Sequence, residues 1–585
     1  MSTRIKNIAD RLNFSCLIAV VSISLISSLY PQDLDNIKIG LVHSPLTKNL
    51  LHAEDKNFYP IQDWELFFLN KKISYEVFDD EGVDDYDFDE VDILILPSIE
   101  ILSDDGFENL QDFLKEGKGL FILGKLGLQD DYGNIRREDL LQSLTGLKVY
   151  EFLNRNTIAK NHILYANNFL THSLQINTSL VVLNNFQLLY TVNTSGKIID
   201  LGGYILEDNS EDHLLDKSGI VKIENEKGRI LWFGFQLSQI PVDDKTEVLQ
   251  KLIFNSIKWL AAKPTIWINP WPSDFNSATA FTSMINNPKG VTPDLIAPFA
   301  IQAMVVKNNF FLKPDATISF PDEIERLSSR GDIHILYDEY EYLDLSEDEK
   351  NIMLGNAAQI LRNKTKQLFY GIKYKNSNEQ TDINKKTGSN LFDFVINEDN
   401  SIMVNDKKSR LSFNNYRMIF PPSNYSLKKN YIYRKNDLTE YKKYFDDVHK
   451  CGGIIPVINI DQFSNFNSRM ESETFKKILS YSTKNYSWVA PYSGIVDWLT
   501  KKENISINIK EIGEKPVLRL IIENRNKDKV VNVGIKVILP QKYKNPEIVN
   551  KNFSLRYDAL TRSYYLLVPF LLANQSTIVE VHYDN

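Results

Sequence analysis

Two apolar runs separated by a helical stretch decide the fold of the central part of the chain. The first is Ala280-Phe-Thr-Ser-Met-Ile-Asn286, and the second is Gly331-Asp-Ile-His-Ile-Leu-Tyr-Asp338, which follows the helical pattern Ile324-Glu-Arg-Leu-Ser-Ser-Arg330. Short apolar strands that alternate with helices are typical of parallel sheets. We therefore predict that both runs are strands of one parallel α/β sheet.

The second run also carries a concentration of polar side chains. In an extended strand Asp332, His334 and Leu336 point to the same face, so that face is not a purely apolar one. Asp332 and His334, together with Asp338, Glu339 and Glu341, form an oxygen-rich set that suits a hard cation. The alternative is a solvated strand edge with ordinary charges, and the spacing favours this alternative because it matches no metal-ligand motif.

The bulk composition excludes some classes of protein. The chain has 585 residues, more than one hydrophobic core normally organises, so several domains are expected. Its net charge of -9 and its pI near 5.6 argue against nucleic acid as a partner. Cys16 and Cys451 are the only cysteines, so we predict neither an intramolecular disulfide in the mature chain nor a cysteine-based zinc site.

Residues 1–33 have the pattern of an export signal. Arg4, Lys6 and Arg11 precede an apolar run from Phe14 to Leu29. A basic segment before such a run is typical of a secretory signal peptide, and the run is slightly short for a full membrane span. We predict a signal peptide or N-terminal membrane anchor that contacts the membrane at least during export. The expected location is extracytoplasmic, in the periplasm or cell envelope, with the protein either secreted or anchored.

Residues 37–262 alternate between strands and helices. The segments 37–42, 91–96 and 120–123 are candidate strands, and 104–116 has the pattern of a helix. This alternation predicts an α/β domain with a doubly wound, flavodoxin-like parallel sheet. The string Asp92-Ile-Leu-Ile-Leu-Pro-Ser98 and its continuation through residue 124 resemble the class I glutamine amidotransferase-like fold, in the non-catalytic form appended to glycan-processing enzymes. No cysteine occurs between residues 17 and 450, so the region lacks the nucleophile that glutamine hydrolysis requires.

Residues 263–502 resemble the polysaccharide deacetylase superfamily, metal-dependent hydrolases that remove acetyl groups from glycans. The resemblance rests on the order of the two opening runs, followed by Gln367-Leu-Phe-Tyr-Gly-Ile-Lys-Tyr374 and Gly452-Gly-Ile-Ile-Pro-Val-Ile-Asn-Ile-Asp461. It implies a deacetylase-type (β/α) barrel for this region.

The resemblance further implies that the metal centre is degenerate. Met284 stands where the family has its catalytic base, and Asn286 stands where it has a metal-ligating Asp. Tyr337 and Glu341 stand at the positions of the two metal-binding His residues. A thioether, an uncharged amide and a protonated phenol are poor substitutes for these groups. We therefore predict no metal site and no cofactor.

Two further positions depart from the family pattern, and several neighbours are candidates for binding. Lys373 replaces the Arg that orients the catalytic base, and Asn459 or Asp461 stands where the general-acid His would be. No residue is thus assigned a catalytic role. The binding candidates, which are aromatic or polar residues around the ancestral groove, are Trp271, His334, Tyr337, Asp338, Tyr374 and Asp461.

Residues 503–585 change to a strand-rich pattern. The runs 517–524, 530–539 and 577–583 are rich in β-branched residues and are separated by Asn, Lys and Pro turns. This spacing predicts a small antiparallel β-sandwich after the barrel.

These observations lead to one main hypothesis and two alternatives. The main hypothesis is an exported, polysaccharide deacetylase-like pseudoenzyme that binds a polysaccharide or an envelope protein in cell-envelope or exopolysaccharide handling. The first alternative is a divergent metal-dependent carbohydrate deacetylase that uses zinc or a similar divalent ion, with His334 and the nearby acids recruited. The second is a structural assembly subunit without affinity for sugar.

Overall fold

The computed structural model describes residues 37–584 with internal gaps, and the structural statements below concern the described residues. The predicted export segment and the site candidates Asn286 and Asp461 lie outside them, and only the backbone of Asn459 is described. The gaps are 54–60, 72, 152–158, 166–167, 172–173, 175–178, 184–187, 193–197, 207–216, 226–227, 241–247, 286, 291–306, 376–390, 397–401, 406–415, 421–430, 433–437, 461–468, 513–515, 541–542, 549, 551 and 559–562.

The chain divides into two compact units. Met1–Leu144 and Asn225–Ile230 form the first unit, and Thr145–Glu224 and Leu231–Asn585 form the second. The finer division at residues 262 and 502 stays a prediction.

The first unit is built on parallel strands, as predicted. Ile39–Val42 pairs with Glu76–Phe78 on one side and with Ile93–Ile101 on the other, and Ile93–Ile101 pairs with Gly119–Gln129. The beginning of Gly228–Phe233 lies next to Gly119–Gln129. The winding direction therefore reverses at the first strand, which leaves a crevice at the carboxyl end of the sheet. The helices of this unit are Pro45–Ala53, Ile61–Lys71, Asp80–Asp84, Asp104–Lys115 and Leu140–Thr145.

Residues 145–224 of the second unit depart from the predicted alternation of strand and helix. Short antiparallel pairs dominate this region. Antiparallel strands connect through short turns and need no crossover helix. A pattern of alternating strands and helices in the sequence therefore does not predict them. The strands are Val149–Glu151, Ala159–Leu164, Ser179–Leu183, Leu189–Val192, Ile198–Asp200, Gly202–Leu206, Lys217–Ser218 and Ile220–Asn225, and the helix Gln250–Leu260 follows them.

An open half-barrel sheet of parallel strands forms the centre of the second unit. In sheet order, its strands are Tyr416–Phe420, Ile402–Asn405, Phe394–Ile396, Gly371–Lys375, Gly331–Asp338, Asn308–Leu312, Ser277–Ile285, Ile454–Ile460 and Tyr431–Ile432, and Ser487–Val489 pairs with Ser277–Ile285. The first two are antiparallel additions, and the others pair in parallel. The helices are Pro314–Ser319, Pro321–Ser328, Glu347–Lys364, Leu438–Lys450, Arg469–Lys484 and Tyr492–Lys502.

The two faces of the half-barrel sheet pack into different cores. On Gly331–Asp338, Ile333, Ile335 and Tyr337 belong to a cluster that includes residues of the flanking helices, such as Leu354. Leu336, on the opposite face, belongs to a second cluster that also contains residues of the C-terminal sheets. This alternation confirms the expectation that residues two apart along the strand share a face.

Two four-stranded antiparallel sheets complete the second unit, as the last segment of the sequence predicts. The strand Thr265–Ile268, which precedes the half-barrel in the chain, pairs with Val530–Ile538. One sheet contains Thr265–Ile268, Val530–Ile538, Ser563–Leu571 and Ser554–Asp558, and the other contains Ile505–Glu511, Val517–Asn524, Gln575–Asp584 and Lys544–Ile548.

Among the described residues, no helix combines the length and the apolar composition that a membrane span requires.

Candidate functional site

The carboxyl edge of the half-barrel sheet is the candidate site, because most of the predicted site residues lie at or near it. Parallel strands end at a common edge, so the residues that end neighbouring strands come close together. Met284, which the resemblance aligns with the catalytic base, lies beside Phe311 and Ile460 in the strand register and is half-buried. Asn459 lies one position earlier, beside Ser283.

Tyr337 and Tyr374 lie in the core on the helix side of the sheet. Tyr337 is stacked on Tyr342 at 5.3 Å between ring centroids and meets Tyr374 edge-on at 5.6 Å. Both rings are buried. Burial, together with the charges of Glu339 and Glu347, raises the pKa of Tyr337 to about 12, so its hydroxyl stays protonated at neutral pH. In this structure both rings pack against other aromatic residues of the chain.

Asp338 and Lys373 are buried charged residues at the same edge. The register aligns Leu336 with Lys373. Asp338 is two residues after Leu336, so it lies on the same face of the strand. Their exposures are 6% for Asp338 and 5% for Lys373. Asp338 also caps the turn Glu339–Tyr342, because its Oδ1 accepts a hydrogen bond from the N–H of Tyr340.

Glu341 takes part in an ion pair at the rim. Its Oε1 lies 2.7 Å from Nζ of Lys313. The same turn presents two exposed side chains, Tyr340 and Leu343. The residue that the resemblance aligns with a metal-binding His is therefore a carboxylate paired with a lysine.

His334 lies in the middle of its strand and is fully buried. Its ring centroid is 5.3 Å from the rings of Phe311 and Phe394. Nδ1 accepts a hydrogen bond from the N–H of Gly371 at 3.3 Å, which places the proton of the neutral ring on Nε2. Nε2 has no partner among the described residues. Burial lowers the pKa of His334 to about 3, so the imidazole is neutral at neutral pH.

The acids proposed to join His334 around a cation do not converge on it. Asp332 lies near the beginning of the strand and accepts a hydrogen bond from Oγ of Ser493. It precedes Asp338 by six residues, which is about 20 Å along an extended strand. Burial raises the pKa of Asp332, although the bond from Ser493 opposes this. Across the part of the chain that the structure describes, no three His, Cys, Asp or Glu side chains are placed to hold a metal ion.

Trp271 lies at the opposite, amino edge of the sheet. Its indole N–H donates to the carbonyl of Gly452, which precedes the strand Ile454–Ile460, at 2.9 Å. The side chain is fully buried and lies 6.2 Å from Trp488 between ring centroids. In this structure its ring belongs to the core.

Sequence reasoning missed a hydroxyl and imidazole network at the amino edge. Ser277 Oγ lies 2.8 Å from Nδ1 of His449 and 2.9 Å from Oγ of Ser487, which lies 2.7 Å from Oγ1 of Thr279. Burial lowers the pKa of His449 to about 4, and Asp446 opposes this shift. The hydroxyl residues in otherwise apolar strands were the sequence feature that could have indicated this network. His449 is far from them in sequence, so no motif links it to these hydroxyl residues.

Comparison with known proteins finds only distant structural similarity. No protein-family model matches the chain, and no curated protein matches it at the sequence level. A GH42 β-galactosidase variant from G. stearothermophilus is 15% identical over 38% of this chain and 30% of its own, with a TM-score of 0.28. A β-galactosidase from Bacillus circulans sp. alkalophilus is 11% identical over 40% and 33%, with a TM-score of 0.30.

A protein assigned as a polysaccharide deacetylase from Mycobacterium smegmatis is 13% identical over 40% of this chain and 93% of its own, with a TM-score of 0.30. The match thus spans about a third of the length of the β-galactosidases and nearly all of the deacetylase-type chain. At TM-scores this low, function has to be argued from this chain's own residues.

Proposed function

We propose that this protein binds carbohydrate at the carboxyl edge of its half-barrel sheet and does not carry out metal-dependent deacetylation. The observation that carries the proposal is the environment of His334. This imidazole is enclosed by Phe311 and Phe394, and no carboxylate near it is placed to share a metal ion among the described residues. A catalytic zinc site normally needs three protein ligands and an open coordination position.

The chemistry of the neighbouring positions supports the same proposal. Deacetylation by a metal-bound water also needs a general base close to that water. Met284 has only a thioether at the position of the base, and Glu341 is paired with Lys313. A thioether cannot take up the proton of a metal-bound water, so the reaction would need a base from elsewhere.

The same edge offers groups that suit a saccharide. Tyr340 is 53% exposed, and an exposed aromatic ring can stack on the apolar face of a sugar. The Lys313 and Glu341 pair lies on the neighbouring surface and supplies donors and acceptors for hydroxyl groups. We accordingly assign Tyr340, rather than the buried Tyr337 and Tyr374, as the stacking residue.

The proposal includes export and a role in envelope or exopolysaccharide handling. It is supported by the basic residues at positions 4, 6 and 11 and the apolar run that follows them.

Two measurements on the purified full chain test the proposal. Elemental analysis, followed by zinc titration, should give much less than one equivalent of metal. Glycan-array binding should identify a saccharide whose affinity falls about fivefold in Tyr340→Ala, since stacking contributes about 1 kcal/mol. Tyr557→Ala is the matched control, because Tyr557 is 55% exposed and lies in a C-terminal sheet.

Three results would overturn the proposal or part of it. One equivalent of tightly bound zinc that is lost in His334→Ala would favour the divergent deacetylase. Absence of binding to any glycan on the array would favour the assembly subunit. Equal losses of affinity in the two tyrosine variants would remove Tyr340 from the site.

A further inference from the structure

The helix Ile61–Lys71 of the first unit carries apolar side chains on both of its faces. Trp64 and Phe68 are fully buried on the inner face. On the outer face Leu66 and Leu69 are 59% and 65% exposed, and their spacing of three residues places them side by side. A helix that packs against a sheet by one face normally presents polar residues to water on the other. The outer face of this helix is thus unusually apolar for a surface that contacts only water.

The strand at the edge of the sheet adds a third apolar side chain. Glu76–Phe78 is the outermost strand of its sheet. The ring of Tyr75 lies 5.0 Å from the ring of Phe68, so Tyr75 faces the helix. Val77 is two residues further along, so it lies on the same side of the sheet as the helix, and it is 47% exposed. The outer apolar surface consists of three side chains, Leu66, Leu69 and Val77.

The chain enters the sheet close to the end of this helix. The N–H of Ile73 donates to the carbonyl of Phe68 at 3.0 Å. The parallel register of the first two strands, carried back along both segments, puts Ile37 opposite Ile73 at about 5 Å. Ile37 therefore lies within roughly 15 Å of Leu69.

The predicted membrane anchor is joined to this point by a short segment. Residues 30–36 link the apolar run Phe14–Leu29 to Ile37. A segment of this length spans at most about 30 Å when it is fully extended. An anchor that stays in the bilayer therefore keeps the outer apolar surface close to the lipid headgroups. Such a tether raises the effective concentration of the bilayer at this surface, so a small apolar area is sufficient for contact.

The size of the outer apolar surface favours a lipid bilayer over a second copy of the chain. A stable protein interface buries about 800 Å² on each partner, from about 20–30 residues. Three partly exposed side chains offer much less than this. The exposed polar residues Gln62 and Asn70, which lie on the same helix, suit the headgroup region of a bilayer.

We propose that the outer apolar surface contacts the membrane that holds the N-terminal anchor, with Leu66 and Leu69 inserted at the boundary between headgroups and acyl chains. The proposal rests on the export part of the proposed function, in the form in which residues 1–33 are retained as an anchor. It is separate from carbohydrate binding, which concerns the other compact unit of the chain.

Spin-label accessibility on the full chain in phosphatidylcholine vesicles tests the proposal. Cys16→Ser and Cys451→Ala remove the native thiols, and Leu69→Cys carries the label. The control label is carried by Tyr132→Cys, because Tyr132 is 85% exposed and follows the carboxyl end of the strand Gly119–Gln129, at the other end of the same sheet. Relative to the control, we expect the label at position 69 to be at least threefold less accessible to a water-soluble nickel complex and at least threefold more accessible to oxygen.

Leu66→Asp, in the chain labelled at position 69, is a second test of the same contact. Leu66 is exposed, so the substitution should leave the fold intact. A charge beside the label should prevent insertion and return both accessibilities to the values of the control. Unchanged accessibilities in this variant would overturn the proposal.

Vesicle flotation of the same samples separates this proposal from the proposed function. Failure of the chain to float with the vesicles would overturn both the retained anchor and the membrane contact. A chain that floats, but whose label at position 69 is as accessible to the nickel complex as the control label, would overturn the membrane contact alone. Protection of that label from both the nickel complex and oxygen would also overturn it, because it would assign the surface to another protein segment or a second copy.

Discussion

The polar side chains at the two edges of the half-barrel sheet differ in their burial and in their hydrogen-bond partners. At the amino edge, buried side chains bond to one another and to the backbone of other elements, as in the network of Ser277, Ser487 and His449. At the carboxyl edge, a half-buried methionine and an exposed tyrosine lie near an ion pair at the rim. From this comparison we expect stability to depend more on the buried polar contacts of the amino edge than on the exposed ion pair at the rim of the carboxyl edge.

The largest effect is expected at the amino edge, from Asn309→Ala. The side chain of Asn309 is fully buried, donates to the carbonyl of Phe281 at 2.8 Å and accepts from the N–H of Tyr492 at 2.7 Å. Its removal leaves two buried backbone groups unpaired, which should lower the free energy of unfolding by about 2–4 kcal/mol. Urea denaturation followed by tryptophan fluorescence measures this loss. The exposed Asn552→Ala is the control, and a loss no larger than in that control would break the comparison.

A pH-dependent effect, smaller than that of Asn309→Ala at neutral pH, is expected from His334, which lies between the two edges. Its pKa is about 3 in the folded chain, below the ordinary value of 6.5, because of burial. The unfolded chain therefore binds more protons between these values, so stability is complete above pH 6.5 and falls as the pH drops toward 3. Each unit of difference corresponds to about 1.4 kcal/mol.

His334→Phe isolates this contribution. Phenylalanine fills the space between Phe311 and Phe394 and does not titrate, although the N–H of Gly371 loses its acceptor. We expect the variant to be somewhat less stable at pH 7 and to lose less stability than the parent between pH 6.5 and 4. Denaturation at several pH values gives both slopes, and identical slopes would show that His334 does not titrate as inferred. His449, whose pKa is lowered to about 4, is retained in both proteins and cancels in the comparison.

The smallest effect is expected at the carboxyl edge, from Glu341→Gln. This change removes the ion pair with Lys313, in which the exposed fraction of the glutamate side chain is 39%. Solvent-exposed ion pairs contribute only about 0–1 kcal/mol, so the free energy of unfolding should change by less than about 0.5 kcal/mol. The same urea experiment applies, repeated at high salt. A loss comparable to that of Asn309→Ala would show that the carboxyl edge is as stabilising as the amino edge.

The sequence by itself determined the order and type of many elements. The parallel strands around Ile39, Ile93 and Gly331 and the antiparallel strands after residue 505 follow from apolar runs and their spacing. These patterns are local, because a strand enclosed on both faces needs apolar residues throughout, whereas a half-exposed strand alternates. That Met284 and Glu341 stand in place of catalytic and metal-binding groups stays a prediction from the sequence order.

Only the tertiary structure decided what each site residue touches. His334 and Asp332 are two residues apart, yet one lies between aromatic rings and the other bonds to Ser493, far along the chain. Tyr337 and Trp271 are aromatic residues of the type that stacks on sugars, but their rings are buried against other residues. Asp80 and Asp84 are four residues apart at the two ends of one helix, and the fold places both beside Leu96 of a neighbouring strand. The physical reason is that burial and charge pairing depend on residues distant in sequence, whereas periodicity depends only on neighbours.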